Sequence, residues 1–505
     1  FYEEYSQSLT YANDIAPILN SKCAYCHNSG GIAPFALTDY TLAYTYRFQI
    51  SGAVSNNRMP PWPPDTSYSR FVGERILSSS EKQKILNWIS QGAPSGNLNQ
   101  APPSPTFQSG YQLPGTPDLI VKIPTITSSA TTQDQYVCIS VPSGLTQEKF
   151  VRAFEIVPGN KAIVHHVILS GDTSGQFPPG IYNNCFTNAK DVGIGGYVPG
   201  QGPVVFPSVS PLKMGLRIPP NTNLVFQMHY PKGSYGQTDS TQVRFYFYPQ
   251  NETGIRTMYV LPLLQNWNLS IPAHSVVTFT NNCSPSGLFA NCMLPVPVSV
   301  YGCAPHSHLI CKSLTNYAFS GTDTIPLIRI NNWDFHWQGF YTFKKMKKIP
   351  AFYKWFSKHV YDNTSSNPNN PNNPPQLVTS GENTTDEMLF DSFYLTLYQN
   401  GDENYNIDSL ITVSVHELYK NSSSYQNITV FPNPASNVCY ILCPQDLKDV
   451  TINIYDLMGK NVMHFNASGQ NIIPVPLNHL PDGFYSMEIS SAMLRKTIKL
   501  LKQNE

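Results

Sequence analysis

Between Asp118 and about Leu418 the chain is a succession of short apolar or alternating segments, among them QYVCISVP, KFVRAFEIVP, NLVFQMHYP, QVRFYFYP and FYLTLY, each closed by turn residues. Alternation with period two gives a strand one core face and one solvent face, and regular turns between such runs favour antiparallel layers. The chain has 505 residues and 43 prolines, which breaks up long helices and points to many turns. About 300 residues of this texture are too many for one ordinary sandwich of about 100 residues. They suit two sandwiches, over 118–262 and 263–420. The expected fold class is therefore mostly β. NTSSNPNNPNNPP (363–375) is low in complexity and is expected to be a structureless surface excursion.

The flanks read differently. In 1–96, YANDIAPILNSK and SSSEKQKILNWISQG carry apolar residues at helical spacing, and the second opens on a Ser/Glu cap and stops at Gly92 before Pro94. This predicts a small α-helical domain. Residues 97–117, rich in Pro, Ser and Gly, read as a linker. Short strands resume in ITVFPNPASN and VTINIYDLMGKNV, so 425–505 is expected to form a separate Ig-like β-sandwich.

Charged residues make up only 13%, with 32 basic and 32 acidic. No basic stripe remains for nucleic acid, which excludes that partner class. No apolar run reaches the roughly 18 residues a membrane-spanning helix needs. The opening FYEEYSQSLTYANDIAP has neither a positive n-region nor an apolar h-region, so a signal peptide, if there was one, is expected to have gone. Ten cysteines, only two of them in a CxxC pair, favour disulfides in an oxidising compartment.

That one pair is Cys23-Ala-Tyr-Cys26-His27. C-x-x-C-H is the haem c attachment signature, with two thioether bonds to the porphyrin and the adjacent His as axial ligand. A thioredoxin-like pair would sit in a βαβ context, and these surroundings are helical. Met59, in NNRMPPWPP, lies where small cytochrome c domains carry a Met before prolines, which makes it the expected second axial ligand. The 1–96 region thus resembles a cytochrome c-like haem domain.

Five further histidines fall into compact groups: His165-His166 in AIVHHVIL, His229 in VFQMHYP, and His306-Ser-His308 in CAPHSHLI. The i, i+2 spacing of His306 and His308 puts both imidazoles on one strand face, a geometry that can bite a metal. Ideal strand geometry points His165 and His166 to opposite faces, so one shared ion requires a local twist or bulge. His336, in the aromatic cluster NNWDFHWQGFYTF, is a candidate neighbour of the site.

HHVIL, FQMHY, APHSHLI and TTDEMLF, in this order, resemble the copper type II, ascorbate-dependent monooxygenases, which include the peptidylglycine α-hydroxylating and dopamine β-monooxygenases. The resemblance implies two antiparallel β-sandwich copper domains. It assigns His165, His166 and His229 to an electron-transfer copper, and His306, His308 and Met388 to a separate, catalytic oxygen-binding copper. A thioether is soft and favours Cu(I), the state that meets O2. It also implies a disulfide between Cys138 and Cys185. The pairing of Cys283, Cys292, Cys303 and Cys311 stays open, although Cys303 and Cys311 cannot join while on one extended strand spanning about 26 Å. The peptide-amidating members anchor the substrate carboxylate with an Arg and a Tyr. Ala304 and Ser392 stand at those positions, which disfavours peptide amidation.

VFPNPASN, INIYDLMGK, LPDGFYSMEI and the basic ending KTIKLLK resemble the type IX secretion C-terminal sorting domain of Bacteroidota. This implies export to the cell surface or beyond, with the secretion machinery as partner. The expected function is an exported dicopper monooxygenase hydroxylating a C–H bond of a small-molecule substrate with O2, its electrons coming from an external donor through the fused haem c. The alternative is a surface copper and haem electron-transfer or structural protein without turnover.

Overall fold

A computed structural model of the chain describes residues 8–103, 112–113, 115–183, 192–420, 429–433, 435–442, 450–467, 472–491 and 494–503. It is mostly β and divides into two compact units, one of residues 1–113 and 117–414 and one of 114–116 and 415–505.

The helical region forms as its sequence dictates. Helix Ser79–Ser90 opens on a reciprocal cap, in which Ser78 Oγ accepts from Glu81 N and Glu81 Oε2 accepts from Ser78 N. It stops where Gly92 adopts φ 88°, a backbone conformation that glycine takes without steric cost. Its Ile85 and Trp88 pack with Tyr11, Ile15 and Leu19 of the first helical turns.

A five-stranded sheet, in the order Gly180–Asn183, Gln135–Pro142, Asn223–Tyr230, His166–Asp172, Val192–Tyr197, lies over part of a long sheet. Val137, Leu169, Phe226 and Met228 of the first sheet share a core with Phe154, Leu216, Val243 and Phe245 of the second. The long sheet does not end there. Arg256–Asn266 pairs in parallel with Leu212–Ile218 over Arg256–Met258, and then antiparallel with Leu389–Leu397. The expected boundary at 262/263 thus falls inside one strand that serves both halves. Beyond it, Val298–His306 and Tyr341–Ile349 complete the sheet and pack against a second, four-stranded sheet through Val300, Phe393, Leu314 and Trp355.

The Asn/Pro-rich stretch is built rather than structureless. Buried Asn363 donates through Nδ2 to Ile271 O, Pro272 O and Gln376 O, and Asn370 Nδ2 bonds Asn363 Oδ1. Low complexity does not preclude order when amide side chains replace the missing ladder.

In the second unit, three-stranded and four-stranded sheets enclose Cys439, Ile441, Val475, Ile452, Met487 and Leu500. Among the described residues no helix is long and apolar enough to cross a membrane.

Candidate functional site

All six ligand candidates of the β region stand at strand ends. His165 precedes strand His166–Asp172, and His229 is the penultimate residue of Asn223–Tyr230. His306 closes Val298–His306 with His308 just beyond it, and Met388 immediately precedes Leu389–Leu397. Register sets His166 opposite His229, and His306 opposite Phe390.

The vicinal pair converges because His165 has left the ladder. Its N–H donates to His229 O at 3.0 Å while His166 stays in register. His166 Nδ1 then lies 3.4 Å from His165 Nδ1 and 3.2 Å from His229 Nδ1. Nitrogens bound to one ion at about 2.0–2.1 Å are about 3.3–3.6 Å apart in tetrahedral or trigonal geometry. The three side chains therefore fit a single metal ion. Burial lowers the His165 imidazole to about 3, with His229 and His336 adding to the effect, and holds His166 well below its ordinary value. Both rings are neutral at physiological pH, as metal ligation requires.

Tyr136 stacks on the His229 ring at 4.4 Å and 12°. Buried His229 Nε2 lies 3.1 Å from Asp134 Oδ2, a close approach rather than a well-directed hydrogen bond. Burial works to raise the Asp134 carboxyl. His229, the Thr384 hydroxyl and the Lys232 N–H outweigh it and hold the group well below the usual carboxylate range.

The second set is anchored through its Nδ1 atoms. His306 Nδ1 donates to Gln338 Oε1 at 2.5 Å and His308 Nδ1 to Asp386 O at 3.0 Å, so each ring keeps Nε2 for a ligand. The two rings are 5.1 Å apart and nearly perpendicular. Met388 enters at the backbone level, its carbonyl accepting from Ser307 Oγ (2.6 Å) and Tyr361 OH (2.8 Å). Among the described residues no third His, Cys, Asp or Glu joins this pair to make a metal-holding group. Fully buried Glu387 accepts the N–H groups of His308, Ile310 and Met388, and burial pushes its carboxyl up to about 8.

Two separate centres are the sequence expectation, yet the sets adjoin. The His166 and His306 ring centroids are 6.5 Å apart. Phe335 stands between the sets, stacked on His165 at 5.0 Å and edge-on to His308 at 5.8 Å. Below them runs a buried polar chain, Ser307 Oγ to His359 Nδ1 (2.8 Å) and His359 Nε2 to Asp391 Oδ2 (3.2 Å). Ala304 and Ser392 are register partners, both half-buried.

In the helical region the N–H groups of Cys26 and His27 both bond Cys23 O, closing the CxxCH residues into one turn. Both thiols are free, and burial pushes that of Cys23 up to about 12. His27 Nδ1 donates to Phe35 O at 2.9 Å, leaving Nε2 available. Half-buried Met59 arrives on a separate element, just after helix Arg47–Ser55, with its N–H on Ala53 O. This region docks on both β halves. Lys161 Nζ bonds Gly30 O at 2.9 Å, Asp65 pairs with Arg329 at 2.8 Å, and Val72 N donates to Thr342 O at 2.8 Å.

Cys283 and Cys292 form a disulfide, while Cys303 and Cys311 are free and buried on different strands. Cys138 is disulfide-bonded, and Cys185 lies outside the described residues. Sequence reasoning missed Asp134, Phe335, Gln338, Thr384 and Glu387. Phe335 and Gln338 belong to the aromatic cluster around His336, itself exposed at the rim, and Thr384 and Glu387 to TTDEMLF, which was read for Met388; Asp134 alone carried no signal.

Residues 429–503 match the secretion system C-terminal sorting domain. The chain thus carries a type IX secretion signal that directs it to the cell surface or outside. No curated protein matches the chain. Among solved structures it is similar to a biofilm-associated protein BSP domain, at 9% identity over 79% of this chain and 84% of that one, with a TM-score of 0.15. It is also similar to the infectious bursal disease virus VP2 subviral particle, at 10% identity over 58% and 75%, with a TM-score of 0.17. Scores this low assign the fold to neither.

Proposed function

We propose that the chain is an exported dicopper monooxygenase that hydroxylates a C–H bond of a small organic substrate with O2, with electrons entering through a haem c. The observation that carries this reading is the convergence of five imidazoles, drawn from three sequence-distant strands, at one end of the β layers. His165, His166 and His229 would hold one copper through Nδ1. His306 and His308 would hold the other through Nε2, with Met388 as the third ligand. An imidazole and thioether set suits copper better than zinc, which more often takes carboxylate or thiolate. Cys23 and Cys26 would bind the haem covalently, with His27 and Met59 as axial ligands. When bound, the coppers would supply one-electron redox chemistry and O2 activation, and the haem a one-electron port.

The protein's own residues do the rest. Gln338 and the Asp386 carbonyl orient His306 and His308, Asp134 places a carboxylate beside His229 Nε2, and Phe335 fills the space between His165 and His308. Ala304 and Ser392 offer no charge to a substrate carboxylate, which favours an uncharged substrate at this face. The same absence favours the second reading, a surface electron carrier without turnover. Metal and haem analysis of the purified chain, followed by O2 uptake with candidate substrates, separates them. Two coppers, one haem and substrate-dependent O2 consumption support the oxygenase. Redox cycling without such consumption supports the carrier, and zinc in place of copper overturns both.

A further inference from the structure

Asp134 touches a ligand of the first set and a residue of the loop that supports the second. Its Oδ2 faces His229 Nε2 at 3.1 Å and accepts a hydrogen bond from the Thr384 hydroxyl, while Oδ1 accepts from Lys232 N at 2.8 Å. Thr384 belongs to the loop 379–388, which carries supports of His308 and Met388 in the second set, while His306 is held from outside it by Gln338. Asp386 O receives His308 Nδ1, and Glu387 Oε2 receives the N–H groups of His308 and Met388. The loop is closed on itself by Glu387 N to Thr379 O (3.0 Å), Gly381 N to Glu387 O (3.2 Å) and Asn383 Nδ2 to Asp386 Oδ2 (2.8 Å).

The geometry points to Asp134 and Thr384 as a positioning couple through which metal at the first set tightens the second, an inference that rests on the copper reading. The physical reason is tautomeric. A metal on His229 Nδ1 confines the ring proton to Nε2, the arrangement in which the contact with Asp134 is attractive. The alternative tautomer sets an imidazole lone pair against a carboxylate. Metal at the first set thus holds Asp134 in place, Asp134 holds Thr384, and Thr384 holds the loop that seats His308 and Met388.

The test titrates the full chain with Cu(I) against a competing chelator, comparing wild type, Thr384→Val and Thr384→Ser. In wild type both equivalents bind tightly. Thr384→Val keeps the first equivalent and weakens the second several-fold, by less than the roughly 10- to 100-fold cost of removing a partner bonded directly to a ligand. Thr384→Ser, which retains the hydroxyl, matches wild type. A second readout uses His306→Ala, which leaves only the first set. One equivalent of Cu(I) slows amide exchange across 379–388 in this variant, and adding Thr384→Val abolishes the slowing. Unchanged second-site affinity in Thr384→Val, or equal weakening by Ser and Val, overturns the coupling while leaving the copper reading intact. A wild-type chain that binds no copper overturns both.

Discussion

His166 and His306, 140 residues apart in sequence, meet with their rings 6.5 Å apart, so the two ligand sets share one wall. Two Cu(II) ions held by imidazoles this close broaden each other's magnetic signal. The fully loaded protein is expected to give a broadened, diminished electron paramagnetic resonance spectrum, and His306→Ala a sharp spectrum of one isolated site. Two sharp, superposed signals in the loaded wild type would show that the sets act independently.

The buried chain from Ser307 to Asp391 is expected to govern stability. Ser307→Ala deprives Met388 O and His359 Nδ1 of a partner in a fully buried site. The expected loss is about 1–3 kcal/mol, read from urea unfolding of the metal-free chain. An unmoved midpoint would mean that other groups take over the hydroxyl's role.

Acid should weaken the metal-free fold before it affects the surface. Burial holds His306 at about 4 and His165 at about 3, against an ordinary value of about 6.5. Below pH 6.5 the unfolded chain takes up protons that the folded chain refuses. Stability is therefore full above that point and falls as pH drops towards 4. Urea midpoints at pH 7.5 and 5 should show the fall, and His306→Asn should make it shallower. A pH-independent midpoint would contradict the burial of these rings.

Haem attachment has its own assay. Produced alongside a cytochrome c maturation system, the chain should carry one covalent haem, and Cys26→Ala should shift the pyridine haemochrome band towards that of a single thioether. Replacing both Cys23 and Cys26 by Ala should abolish covalent attachment. Haem that stays attached in the double variant would remove these cysteines from the role.

The ligand candidates were legible because imidazole pairs are conspicuous in strand-like sequence and their spacing carries geometry. That His165 and His166 could share an ion only through a local distortion was legible too, but nothing in AIVHHVIL says that the ladder stops between the two histidines. Asp134 was silent because a single carboxylate in a loop has no periodicity to mark it, and Thr384, although inside TTDEMLF, had nothing in the sequence to tie it to Asp134, 250 residues away. The 363–375 stretch is the expected surface excursion, without helix or strand beyond Asn363, but composition could not report the carbonyls that Asn363 finds on Ile271 and Pro272. The capping box at Ser78 and the stop at Gly92 were visible because both are local.

Strand Arg256–Asn266 has a mechanical consequence. Because one extended backbone segment is stitched to Leu212–Ile218 at its start and to Leu389–Leu397 along the rest, the halves cannot swing apart on a flexible tether. Prying them open means tearing ladder bonds or stretching the segment itself. The gap between His166 and His306 is then a built-in spacing rather than one of many positions sampled by loosely joined lobes.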